Sequence, residues 1–262
     1  MENSSEQLDF AIELAKKAGD VMLKYFESDN LNVKYKKGVQ PVTIADREIN
    51  KLVIDKIAEK YSEHIVNGEE QNRPGESDYV WVCDPVDGTI PFMKGIPVAV
   101  FSLALVYRGK PILGVILDPF HGKLYIAEKG KGAFCNKEKI EVSKRKIEQG
   151  IINVEWWQDG VRDVVLSLHE FAIKTRMYHI HIPSIVYASS LVAKGEIEAS
   201  VFPGGKGKNV DIAAVKILVE EAGGKVTDLD GNEQRYDQDI NGAIISNGIN
   251  HDKLVEILKI SV

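Results

Sequence analysis

Cysteine is nearly absent from this 262-residue sequence, which has only Cys83 and Cys135. Two thiols cannot build a disulfide framework, and no histidine cluster joins them to make a zinc site. A reduced, cytoplasmic setting is therefore expected. Basic excess is also missing: 33 Lys and Arg against 39 Asp and Glu leave a formal net charge of −6. Without surplus cations to displace counterions from phosphates, a general nucleic-acid binder is not expected. No apolar run approaches the length of a bilayer span. The opening "MENSSEQLDF" lacks the basic and apolar regions of a leader, so neither a membrane nor a secretory role is expected. Internal repeats, heptads and low-complexity segments are missing as well. What remains is an ordinary globular composition, 44% apolar and 27% charged, long enough to bury a sizeable core.

Ser4 with Gln7 makes a capping-box pattern, and Leu8, Ile12, Ala15, Met22 and Tyr25 recur near helical spacing. Together they predict a helix over 4–27. A polar loop ends at Pro41, and a second helix is predicted from Thr43 to about Tyr61. Short strands come next at 79–83, 98–107, 111–117 and 123–127, punctuated by Gly and Pro. The first half thus reads as two helices laid against an antiparallel sheet. The second half alternates, with strands at 151–155, 178–182, 197–202, 225–228 and 243–247. Helices are expected near 160–174, 184–194, 211–222 and 250–259. Such alternation suggests a sheet covered by helices. The change of style falls in the charged stretch 136–150, which divides an α+β half, 1–140, from an α/β half, 141–262.

The stretch "WVCDPVDGTIPF" ends an apolar run in two aspartates, Asp84 and Asp87, with a rigid turn between them. Asp-Pro and Asp-Gly are common turn dipeptides, so capping alone would explain both. Yet two carboxylates this close repel unless a cation sits between them. Three further acidic positions stand at the ends of predicted elements. Glu69 and Glu70 in "IVNGEEQ" read by themselves as a solvated loop. Asp211 reads as a helix N-cap, and Thr43 with Asp46 as a capping box. Taken together, four acidic sites of hard oxygen donors suit Mg²⁺ or Mn²⁺ rather than zinc. His179 and His181 share one face of a predicted strand, either as a ligand pair or, more simply, as an edge-strand pair.

"GEE" at 68–70, "DPVDGT" at 84–89 and "VDIAAVKILVEEAGG" at 210–224 occur in that order. The sequence resembles the inositol monophosphatase family, which includes archaeal-type fructose-1,6-bisphosphatases. The likeness also takes in "KGVQPVTIADREI" and "KLYIAEKGKGAFCN". The resemblance implies a layered α-β-α-β-α sandwich, two or three Mg²⁺ ions, a homodimer, and a small phosphorylated sugar or polyol as substrate. Its ligand set would be Glu69, Asp84, the Val86 carbonyl, Asp87 and Asp211. Thr89, Asp46 and Glu70 would be catalytic, with Thr89 and Asp46 paired on the attacking water. Gly88, Thr89, Ala188, Lys206 and Lys208 would face the substrate, and Lys37 would lie in a mobile loop.

The sequence departs from the family pattern at three places. Pro91 stands where Asn is usual, Val210 where Trp is usual, and Gly204 where inositol phosphatases place a glutamate for ring hydroxyls. Lys206 and Lys208 come next in "FPGGKGKNVD", either as a solvated turn or as partners of a second phosphate. The expected activity is a Mg²⁺-dependent phosphomonoesterase acting on inositol 1-phosphate, fructose 1,6-bisphosphate or both. Alternatives are a 3′-phosphonucleotide phosphatase and a catalytically silent protein of the same fold. A haloacid-dehalogenase-type phosphatase is disfavoured, since its aspartates flank one residue and here they flank Pro85 and Val86.

Overall fold

The structure is a computed structural model and describes residues 5–36, 40–156, 160, 162–204 and 208–259. The chain opens with helix α1 (Glu6–Tyr25), a ribbon of β1 (Lys34–Tyr35) and β2 (Pro41–Val42), and helix α2 (Ile44–Lys60). A seven-stranded sheet comes next, in simple spatial order. Its strands are β3 (Ile65–Gly68), β4 (Tyr79–Asp87), β5 (Val100–Tyr107), β6 (Lys110–Asp118), β7 (Lys123–Glu128), β8 (Ala133–Cys135) and β9 (Glu138–Ile140). A short helix, α3 (Thr89–Met93), separates β4 from β5. Every neighbouring pair is antiparallel except β3 beside β4.

The second half runs β10 (Ile151–Val154), α4 (Val164–Thr175), β11 (Tyr178–Ile180), α5 (Ile185–Ala193) and β12 (Ala199–Phe202). Then come α6 (Asn209–Glu221), β13 (Lys225–Thr227), β14 (Ala243–Ser246) and α7 (His251–Lys259). These strands form a five-stranded sheet in the order β11-β10-β12-β14-β13. It is parallel across β11, β10 and β12, and antiparallel across β12, β14 and β13.

The layers arise from which faces are apolar. On β4, Trp81 and Cys83 pack with Leu14, Ala18, Ile49 and Val53 of α1 and α2. Val80 and Val82, on the opposite face, pack with Val186, Ile212 and Val215 of α5 and α6. Burial on both faces explains why this strand reads as a continuous apolar run. Helix α6 is buried nearly all round, from Asn209 to Val219, because it lies between the two sheets. Gly114 lets it approach closely: a Cβ there would stand 2.6 Å from Ile217. Helices α4 and α7 cover the far face of the five-stranded sheet through Leu168, Leu254, Ile152 and Ile244. The result is an α-β-α-β-α sandwich. One apolar cluster draws on both halves of the chain, joining Ala104 and Ile116 to Phe202 and Ile245.

Several boundaries differ from expectation for local reasons. Ser5 caps α1, its hydroxyl accepting from the Leu8 N–H at 3.2 Å, and Ser4 lies outside the described residues. Helix α4 starts at Val164, where the Asp163 side chain caps it. Strand β4 does not stop at Cys83 but continues to Asp87, with a register shift between Asp84 and Asp87. A bulge is where a strand tolerates a proline, and Pro85 occupies it. Strands β3, β8 and β9 have three or four residues each and give too short a pattern to recognise.

Candidate active site

The bulge in β4 turns two carboxylates toward α6. Asp84 Oδ1 accepts the Val86 N–H at 2.9 Å. Asp87 Oδ2 accepts the Ser184 hydroxyl and, at 3.0 Å, the Val186 N–H, so the start of α5 holds it in place. Asp211 comes from the first turn of α6, inside the helix rather than at its N-cap, which is Lys208. The capping explanation for Asp211 therefore does not hold, and its buried Oδ1 has no hydrogen-bond partner. Asp84, Asp87 and Asp211 each bring an oxygen within 4.8 Å of the others, all buried. Burial pushes all three above the usual carboxylate range, aided by Glu69 at Asp84 and Asp211 and by Asp211 at Asp87.

Lys208 is drawn into this cluster. Its Nζ lies 3.2 Å from Asp211 and 3.9 Å from Glu69. Burial opposes its charge, but Asp211, Glu69 and Asp84 outweigh that and hold the ammonium above its ordinary value. It lines the cavity and, at its wall, balances these carboxylates. Lys206 and Lys37 lie outside the described residues. Ala188 is fully buried in α5 and is not among the residues that line the cavity.

A second acidic group adjoins the first. The Glu69 N–H bonds the Cys83 carbonyl at 3.0 Å, carrying the β3–β4 pairing one residue past the strand. Asn50 of α2 clamps the next two residues, accepting from the Glu70 N–H at 3.2 Å and donating to the Gln71 carbonyl at 3.0 Å. Gly68 is needed here because a Cβ would stand 2.4 Å from Asn50 Oδ1. Asp46, Glu69 and Glu70 come within 4.8 Å of one another. Lys36 bridges Glu70 at 2.6 Å and Glu69 at 3.4 Å. Burial is the main reason that Glu70 sits above its usual range, and its bond to Lys36 opposes this.

Asp46 links the two groups. Its Oδ2 accepts the N–H and hydroxyl of Thr43, completing the expected capping box. Its Oδ1 lies 3.2 Å from the Thr89 hydroxyl, which is also 3.0 Å from the Val86 carbonyl. Burial pushes Asp46 up to about 7. Gly88, at φ 87°, turns the chain into α3, and a Cβ there would crowd Ser184 at 3.1 Å. Gly88 is the N-cap and Thr89 the first residue of α3, so neither N–H has a partner inside the helix.

All of this opens on a cavity of about 430 Å³. Glu69, Asp84, Val86, Asp87, Gly88 and Thr89 line it, together with Lys208 and Asp211. Asp46 and Glu70 adjoin it through Thr89 and Glu69. Sequence reasoning missed Lys36, Asn50, Ser184 and Trp156, and it read His181 as part of an edge strand. His181 lies one residue beyond the end of β11, at the cavity wall. The donor set fits a hard divalent cation. Three buried carboxylates converge, one oxygen is unpartnered, and Lys208 offsets part of their charge.

This fold, with carboxylates gathered at a strand end beside open first-turn amides, defines a phosphatase. The family model described as the inositol monophosphatase family matches residues 3–262, and the chain belongs to that family. A fructose-1,6-bisphosphatase/inositol-1-monophosphatase from Thermotoga maritima is 32% identical, over 97% of this chain and 96% of that protein. A histidinol-phosphatase from Chlorobaculum parvum is 34% identical, over 88% of each chain. Among solved structures, an IMPase/NADP phosphatase complexed with Mg²⁺ and phosphate superposes with a TM-score of 0.82. It is 28% identical, over 97% of this chain and 95% of that one.

Proposed function

We propose that this phosphatase is a Mg²⁺-dependent phosphomonoesterase of small phosphorylated sugars or polyols, using water as the nucleophile. The observation that carries this reading is the convergence of buried Asp84, Asp87 and Asp211, one oxygen unpartnered, beside the Gly88–Thr89 amides. Two or three Mg²⁺, or Mn²⁺ in their place, would be held by Glu69, Asp84, the Val86 carbonyl, Asp87 and Asp211. Such ions supply Lewis acidity, which acidifies water and neutralises phosphate charge.

The chain's own groups do the rest. The amides of Gly88 and Thr89 meet phosphate oxygens. The Thr89 hydroxyl orients the attacking water, and Asp46, reached through that hydroxyl, accepts the proton. Glu70 acts from behind, tied to Lys36. Asp87 is poorly placed to be a covalent nucleophile, since Ser184 and Val186 already occupy one of its oxygens. A silent protein of this fold would have no need to keep every acidic side chain on the cavity. Relatives of similar identity are named for different substrates, so identity does not choose among them. We place fructose 1,6-bisphosphate at least level with inositol 1-phosphate, because Gly204 offers no side chain for ring hydroxyls. We also propose a cytoplasmic homodimer, its subunit number readable by light scattering.

Phosphate release tests the reading. Activity is expected with Mg²⁺ or Mn²⁺, weakened by Ca²⁺ and abolished by excess chelator. Asp87→Asn and Asp211→Asn should keep the fold and lose about a hundredfold or more in kcat. Full turnover in chelator, or near-normal turnover in both variants, overturns it.

A further inference from the structure

Away from the carboxylates the cavity changes character. Its lining there includes Trp156, Ile90 and Pro183, with Phe202 a buried member. Trp156 is 64% exposed and Ile90 53%, so apolar surface meets water at the mouth. A ligand covering it removes that surface from water. Trp156 lies just past the C-terminal end of β10, and His181 just past that of β11, its parallel neighbour. Crevices at the carboxyl ends of parallel strands are where sheet proteins seat ligands.

The ring of His181 has a defined tautomer. Its Nδ1 lies 3.1 Å from the Val154 carbonyl, which can only accept, so Nδ1 carries the hydrogen. With Nδ1–H turned to that carbonyl, Nε2 is the ring atom left for a ligand, and it accepts wherever the ring carries one hydrogen. Among the described lining residues Gln40 is another polar side chain, while the Ser184 hydroxyl is already engaged by Asp87. Gly204 cannot supply another: its φ is 93° and a Cβ would stand 2.8 Å from the Gly242 nitrogen.

Resting on the phosphatase reading of this cavity, we propose that Trp156 and His181 are specificity-determining residues that hold the leaving group. The group they fit is a ring with one flat apolar face, stacked on the indole, and a hydroxyl or N–H at its edge, donated to His181 Nε2. A sugar ring and a heteroaromatic alcohol share this chemistry. A ring hydroxylated on every carbon brings more donors than the described residues of this wall match, and each unmatched one weakens binding.

The test compares KM and kcat of the Mg²⁺-loaded full chain on four esters. These are a sugar-ring phosphate, a pyridinemethanol phosphate, inositol 1-phosphate and glycerol 2-phosphate. Trp156→Ala should raise KM about tenfold for a ring ester, the order expected for losing an aromatic stacking partner, with kcat little changed. Trp156→Phe should recover most of it, and glycerol 2-phosphate should respond far less. His181→Ala should raise KM for the same ester, and His181→Gln, which keeps an acceptor, should not. The ester that shows this pattern identifies the ring as sugar or heteroaromatic. Equal losses on all four esters, or none, overturn the proposal. If the wild type hydrolyses none of them, the phosphatase reading fails on its own. The clamp is then judged by quenching of the fluorescence difference between wild type and Trp156→Phe with the free ring alcohols. No quenching overturns it too.

Discussion

Asp46 has two roles that one substitution can separate. It caps α2 through Thr43, whose N–H lies 2.8 Å from Oδ2, and it meets the Thr89 hydroxyl at 3.2 Å through Oδ1. Asp46→Asn keeps an oxygen for the cap while removing the charge. Losing such a cap outright costs about 1 kcal/mol, which in a chain of this size lowers Tm by about 2–4 °C. Losing a group that takes the proton from water costs roughly 10²–10⁴ in kcat. The expected outcome for Asp46→Asn is therefore a Tm within a few degrees of wild type and a kcat at least about a hundredfold lower. Thr89→Ala should show a similar loss, and Thr89→Ser should restore much of it. The double variant decides whether the two act as one unit. Independent losses of about a hundredfold each would multiply to about 10⁴, whereas members of one relay cost no more together than the worse one alone. Phosphate release at saturating Mg²⁺ and substrate, with melting curves on the same samples, reads both quantities. A lowered Tm with near-normal turnover returns Asp46 to capping alone, and multiplying losses reject the pair.

Buried groups away from the chemistry set two further outcomes. His251 is fully buried between Thr227 and Ser246, 2.9 Å from each hydroxyl, and burial pushes it down to about 4. Unfolded histidine protonates near 6.5, so the share of stability that His251 controls is flat above that pH and falls as pH drops toward 4. The slope is about 1.4 kcal/mol per unit, or about 3 kcal/mol in all. Urea melts at pH 7 and pH 4.5 on wild type and His251→Gln isolate this share, because the carboxylates are common to both. Equal acid losses in the two would refute it. Gly204→Ala should destabilise by about 1–3 kcal/mol, since its Cβ meets backbone at a positive φ. An unchanged Tm, or a Gly204→Glu protein of full stability that gains inositol 1-phosphate turnover, would show that the site tolerates a side chain.

Most of the α-helices, and the acidic motifs, were legible in the residues themselves. Their signals are local. The Thr43–Asp46 box closes within one turn, apolar spacing marks α1 and α2, and only Pro85 and Val86 separate Asp84 from Asp87. The family resemblance rests on the same contiguous stretches. The bulge that carries β4 through Pro85 was not legible, because a proline there reads as a stop until β5 is seen pairing on both sides of it. Nor was the mixed second sheet, whose strands of three or four residues owe their direction to partners far along the chain. The site's supports belong to the same class. Asp87 meets Ser184 across 97 residues, and Asn50 grips a loop 20 residues on. Lys208 was legible as a charge but not as a counter-ion to Asp211, since that depends on how deeply α6 is buried between two sheets. Trp156 and His181 come to one cavity only because β10 and β11 lie side by side. Periodicity and capping are written in neighbouring residues, and those the chain states alone. Which strand ends meet is settled by packing of whole layers, and burial then decides which charges must converge.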